Sequence, residues 1–167
     1  MKRLVFIAIA QTLTALAAAA SGANEVTTQG LGPITFGMTV AQFSNALHER
    51  KSVPKDPEDR GCFYLESDKF PGVAFMFENE KLRRIDVRTN KVPTQDGIRV
   101  GTRVDQLKQR YGTRMTDEPH HYSGPEDRYL TLNLSPTMAV RFETNAGNID
   151  NFYVGYKTQV QYVEGCS

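Results

Sequence analysis

The chain is 167 residues long, with 20 basic and 19 acidic side chains and a formal charge of +1 at pH 7. So even a balance argues against nucleic acid as a partner, because that needs a basic stripe to displace counterions. The length and the 40% of hydrophobic residues, with nine Phe and seven Tyr but no Trp, suffice for one domain with a real core.

The first 23 residues, MKRLVFIAIAQTLTALAAAASGA, place Lys2 and Arg3 before an apolar run that ends in small residues. That is the layout of a secretory signal peptide, with cleavage expected after Ala20 or Ala23. A membrane-spanning helix needs roughly 20 apolar residues, and Gln11, Thr12 and Thr14 interrupt a run already too short. No Cys stands at the cleavage region, so no lipid attachment or membrane anchor is expected. The mature protein is therefore expected in the periplasm or secreted. Removing Lys2 and Arg3 leaves 18 basic against 19 acidic residues.

The next segment, GPITFGMTVAQFSNAL, carries Val40, Phe43 and Leu47 on one helical stripe. Thr39 and Gln42 have the spacing of a capping box. No Gly follows to stop this helix, so it is expected to fray around Arg50 to Pro54. Three strand-like stretches come after it: CFYLES, VAFMFE and KLRRIDVRT. The second half says nearly the same thing again. VGTRVDQL repeats FGMTVAQF, with Gly101 on Gly37, Val104 on Val40, Leu107 on Phe43 and Tyr111 on Leu47. There the cap is expected at Thr102 with Asp105, and Gly112 ends the helix. RYLTLNLS then matches the first strand (Leu130 on Leu65) and MAVRFE the second (Val140 on Phe75, Phe142 on Phe77). NIDNFYVGY matches the third, with Ile149 on Leu82, Phe152 on Ile85 and Val154 on Val87. The expected fold is α+β, two tandem helix-plus-antiparallel-sheet (αβββ-type) units spanning 24–92 and 93–167 in one mature domain.

Alternation along the strands separates two faces. Phe63, Leu65, Val73, Phe75, Phe77, Ile85, Val87, Leu130, Leu132, Leu134, Met138, Val140, Phe142, Phe152 and Val154 are expected beneath the helices. Tyr64, Arg84, Arg88, Tyr129, Arg141 and Tyr153 fall on the opposite face, and Tyr and Arg are the types favoured at protein–protein hot spots. These six are the expected partner-binding residues. The two cysteines, Cys62 and Cys166, are expected to pair in an exported chain, pinning YVEGC across the first unit.

Chemistry is sparse. His48 lies on the first helix, and His120-His121 sits in TDEPHHYSGPED, where adjacent residues of an extended loop point in opposite directions. No metal site, cofactor or catalytic residue is therefore expected. Ser123, near His121, has no Gly-x-Ser-x-Gly elbow. The Gly-rich GLGPITFG lacks the Lys of a phosphate-binding loop.

The Gly37-Met38-Thr39 phrase at a helix start, followed by hairpin strands and repeated around Gly101-Thr102, resembles the β-lactamase inhibitor protein family. It is similar, in single copy, to the outer-membrane assembly lipoprotein (BamE/SmpA) family. GPITFGMT together with YVEGCS also resembles small uncharacterised exported bacterial proteins. The resemblance implies a tandem repeat fold and a non-enzymatic, inhibitor-like or immunity-type role. The expected function is an exported binding protein engaging a protein partner through the outer sheet face or through the loops VPTQDG and HHYSGPED. The alternative is a periplasmic ligand-binding or hydrolytic domain that uses the His120-His121 loop.

Overall fold

A computed structural model of the protein describes residues 24–166, so the leader expected at 1–23 lies outside the described residues. In chain order the elements are β1 (Gly30–Leu31), β2 (Ile34–Thr35), α1 (Val40–Leu47), β3 (Cys62–Glu66), β4 (Val73–Glu78) and β5 (Lys81–Val87). They continue with α2 (Val104–Tyr111), β6 (Met115–Pro119), β7 (Arg128–Asn133), β8 (Met138–Asn145), β9 (Asn148–Tyr156) and α3 (Lys157–Val160). β1 and β2 form a small hairpin; the other seven strands form one antiparallel sheet in the order β3-β4-β5-β9-β8-β7-β6. This is an α+β fold.

The alternation read from the strands decides the layering. Phe75, Phe77, Ile85, Val87, Leu130, Val140, Phe142, Phe152 and Val154 point to one side and are buried with Phe43, Leu47, Leu107 and Tyr111 from the helices. Phe43 stands edge-on to Phe75 and Phe77, with ring centroids at 4.8 and 5.4 Å, the favoured geometry for aromatic pairs. The capping box of α1 is formed: the Gln42 amide donates to Thr39 Oγ1 at 3.2 Å and the Thr39 amide to Gln42 Oε1 at 2.9 Å. α1 does not fray toward Pro54. It stops at Leu47 because His48 takes the left-handed conformation (φ 53°) and its amide bonds back to Asn45 and Ser44. α2 ends at Gly112 as expected (φ 51°), but its start differs. Asp105 turns to the Gln106 amide and the Arg103 guanidinium, so no side chain caps this helix.

The two halves share backbone detail. The Gly37 amide donates to Leu82 O at 2.9 Å, and the Gly101 amide to Ile149 O at 2.8 Å. Both glycines have positive φ, 85° and 87°. β4–β5 turns through Asn79-Glu80 and β8–β9 through Ala146-Gly147, all four with positive φ, the signature of tight hairpin turns. Phe77 pairs with Leu82 just before a bulge, and Thr144 pairs with Ile149 in the same way. Pairing therefore sets Phe142 against Phe152 as Phe75 is set against Ile85. That corrects the registration read from sequence by two residues: Phe75 answers to Phe142, not to Val140. Side-chain parity hides a two-residue shift, which keeps every residue on its own face.

β6 is an addition that TDEPHH did not suggest. Its residues are almost all exposed and carry no apolar alternation, and Asp117, Glu118 and Pro119 suit an edge that must not recruit further strands.

Candidate binding site

On the outer face, alternation brings the expected residues into ladders across the sheet. Glu118, Tyr129, Glu143 and Asn151 form one row through β6, β7, β8 and β9. Thr131, Arg141, Tyr153 and Asp86 form the next, and Arg84 and Tyr64 lie beside it. This face is not open. The chain after β9 folds back over it as α3 and the segment to Cys166, which is disulfide-bonded to Cys62 with a Cα separation of 5.2 Å. Arg84 Nη1 donates to the carbonyl oxygens of Gln159 and Tyr162, each at 2.8 Å. Glu78 accepts from Gln159 Nε2 at 2.7 Å and from the Tyr162 hydroxyl at 2.9 Å. Val160 packs with Ala139 and Tyr153 in a second small core. Gly165 lies so close to Tyr64 that a Cβ would meet its hydroxyl at 2.6 Å.

The expected broad contact surface is therefore corrected. Arg84, Tyr129, Arg141 and Tyr153 are buried, Tyr64 is half-buried, and Arg88 alone of the six is exposed. For Arg84 and its neighbours the physical reason is mutual satisfaction beneath the strap formed by α3 and the segment to Cys166. Arg84 donates from Nε to Asp86 Oδ1 at 2.7 Å and from Nη2 to Asp86 Oδ2 and the Tyr64 hydroxyl, at 2.9 and 2.6 Å. Its guanidinium also lies 4.3 Å from the Tyr153 ring centroid. Burial works against its charge, but the Asp86 carboxylate more than offsets this and holds Arg84 above its ordinary value. Burial, then the Asp86 charge, pushes the Tyr64 hydroxyl up to about 12. These groups spend their polarity on one another and on the strap.

The second half of the face is different, because part of it reaches solvent. The 120–127 loop folds over Tyr129, with the His120 ring stacked on the Tyr129 ring at 4.3 Å and His121 edge-on at 5.6 Å. His120 Nε2 lies 3.6 Å from Glu143 Oε2, and Glu143 Oε1 accepts from the Tyr153 hydroxyl at 2.9 Å. Asp127 ties the loop down, accepting from the Ser123 hydroxyl and from the amides of Gly124 and Ala146. Ser123, the sole serine near these histidines in sequence, thus spends its hydrogen on Asp127. Between this loop, the end of β6 and the strap lies a cleft of about 420 Å³ lined by Glu118, Pro119, His121, Tyr129, Arg141, Gln161 and Val163. Ligand sites run from roughly 300 to 1,000 Å³.

Two groups on the floor of this cleft stand out. Arg141 donates from Nε to Thr131 Oγ1 at 2.9 Å and from Nη2 to Glu118 Oε2 at 2.8 Å and to Gln161 Oε1. The Tyr129 hydroxyl is fully buried and its hydrogen finds no acceptor among the described residues. Burial, then the Glu143 charge, pushes its ionisation up, so it remains a hydroxyl. His48 stands apart at the end of α1. Among the described residues, no three His, Cys, Asp or Glu side chains come together as a metal site, and no helix is long and apolar enough to cross a membrane.

No family model matches the chain, and no curated protein matches it. Among solved structures, the crystal structure of the uncharacterized protein yfeY from Escherichia coli is similar, at 14% identity and a TM-score of 0.49, covering 80% of this chain and 99% of that one.

Proposed function

We propose that this chain is an exported, non-catalytic binding protein made of two copies of a helix-plus-sheet unit, 24–92 and 93–167, and that it engages a protein partner at the cleft beside the 120–127 loop. The observation that carries this reading is the sealing of the outer face. The segment from α3 to Cys166 covers the Tyr and Arg side chains of the first half, while in the second half the buried Tyr129 and Arg141 line an open cleft. The matching hydrogen bonds of Gly37 and Gly101 and the matched hairpins support the duplication. Inhibition of a secreted or envelope enzyme, the role the β-lactamase inhibitor resemblance implies, is the sharpest version. Periplasmic or extracellular residence rests on the leader and agrees with the disulfide.

His121 is exposed, so His121→Glu alters the cleft mouth without disturbing the core. Capture from an envelope extract should retain a stoichiometric partner with the unaltered protein and with a distant Lys81→Glu control. The His121→Glu variant should lose it at least tenfold. Equal retention by all three proteins would remove the cleft from the binding surface.

A further inference from the structure

The cleft floor has an unusual charge arrangement. Arg141 is 2% exposed, yet its carboxylate partner, Glu118, stands on the edge strand β6 with a side chain 55% exposed. A buried guanidinium strongly needs an anion, because an unpaired one has lost its water. Here the anion comes from a mobile-length side chain at the rim rather than from a packed neighbour. The three bonds that Arg141 makes use Nε and Nη2, leaving Nη1 for a further acceptor. Beside it, the Tyr129 hydroxyl is a buried donor without an acceptor among the described residues. A buried donor without an acceptor has lost its water and gained nothing in exchange. In a side chain whose ring otherwise packs against the His120 ring and the Arg141 guanidinium, Phe would fill the same space without that cost.

We propose that the cleft is a carboxylate-binding site in which Arg141 and Tyr129 are the donors and Glu118 is the resident competitor that an incoming carboxylate displaces. The walls suit a carboxylate carried on a chain. Pro119 and Val163 offer apolar contact on opposite sides, and Gln161 can pair with an amide. Arg is the side chain whose fork matches a carboxylate in two contacts at once. The ligand class is therefore a carboxylate presented by a polypeptide, with a free small acid as the other source of the same chemistry. This inference rests on the cleft being the contact region, and adds the chemistry of recognition.

The test uses the oxidised protein and calorimetric titration with three probes: acetate, an N-acetylated Ala-Ala-Val tripeptide with a free carboxyl end, and the same tripeptide amidated. The free-acid peptide should bind at least tenfold more tightly than the amide. If acetate matches the peptide, the carboxylate chemistry holds and the source is a small acid. Tyr129→Phe should melt no lower than the unaltered protein, since its hydroxyl hydrogen has no acceptor among the described residues, yet weaken the acid at least tenfold. Glu118→Gln removes the competing charge and should tighten binding about threefold or more. Equal affinity for acid and amide, or unchanged affinity in both variants, would overturn the proposal. Loss of partner capture in His121→Glu alongside equal affinity for acid and amide would leave the cleft as the contact region and refute the carboxylate alone.

Discussion

Arg84 shows how a single side chain changes meaning once its surroundings are known. In sequence it is a hot-spot type on a polar face; in the fold it is 3% exposed and holds two strap carbonyls as well as Asp86 and Tyr64. Replacing it with Met leaves Asp86 buried without its counter-charge, a loss of about 3–5 kcal/mol. Arg84→Lys should recover only part of that, because an ammonium cannot fork to a carboxylate and two carbonyls together. Urea titration of both variants checks the order. Asp127 makes a different residue-scale case. The Ser123 hydroxyl, with the backbone amides of Ala146 and Gly124, holds its carboxyl below the usual range. A lowered folded-state value means that the stabilisation is complete above the unfolded value and disappears as pH falls through the folded one. Thermal melts from pH 7 to pH 3 should show a smaller acid-induced drop in Asp127→Asn than in the unaltered protein.

At the scale of elements, the turns into α1 and α2 share their backbone geometry, the detail on which the proposed duplication rests. Gly37 and Gly101 have φ near 85° and donate to the first residue pairs of β5 and β9. A Cβ at Gly37 would meet nothing closer than the Tyr156 hydroxyl at 3.9 Å, and at Gly101 nothing within 4 Å. Space is therefore free at both, and the constraint is the left-handed backbone itself. Ala at either position should destabilise by about 1 kcal/mol or more, and by similar amounts at the two sites. Melting curves of both variants measure this. A large loss at one site and none at the other would overturn the proposed equivalence of the two halves.

At the scale of the whole molecule, the segment after β9 ties the central strand of the sheet to its edge strand β3. The disulfide closes a loop of sequence separation 104, for which chain entropy gives an upper figure of roughly 4–5 kcal/mol. Cys166→Ser should therefore lower stability by several kcal/mol. It should also speed amide exchange at 161–166 more than in β8 and β9, because the tail past Val160 has few apolar anchors of its own. Uniform protection across strap and sheet would show that the noncovalent contacts suffice. Burial also revises what tyrosine truncation does. Tyr153 is 3% exposed and bonded to Glu143, so Tyr153→Ala should cost about 3–5 kcal/mol, as core aromatic truncations do, rather than act on binding alone.

Much of this protein is local, and the local part was legible. Thr39 and Gln42 write a capping box because both groups lie within one helical turn. Alternation assigns Phe75, Ile85, Phe142 and Val154 to one face because successive strand side chains point to opposite sides. The pair Cys62–Cys166 is the one expected from the two cysteines of a chain that opens with a leader-like stretch. What the chain order could not show is what lies upon a face. Parity put Arg84, Arg141 and Tyr153 opposite the helices, but covering them depended on α3 and the segment after it folding back over the sheet, which for Arg84 is a contact 75 residues away in sequence. β6 stayed hidden because an edge strand in solvent needs no apolar alternation. The shift of Phe75 onto Phe142 rather than Val140 stayed hidden because two residues is a full side-chain period. Tertiary structure alone decided these, since each depends on which distant backbone supplies the hydrogen bonds and which buried charge finds its partner.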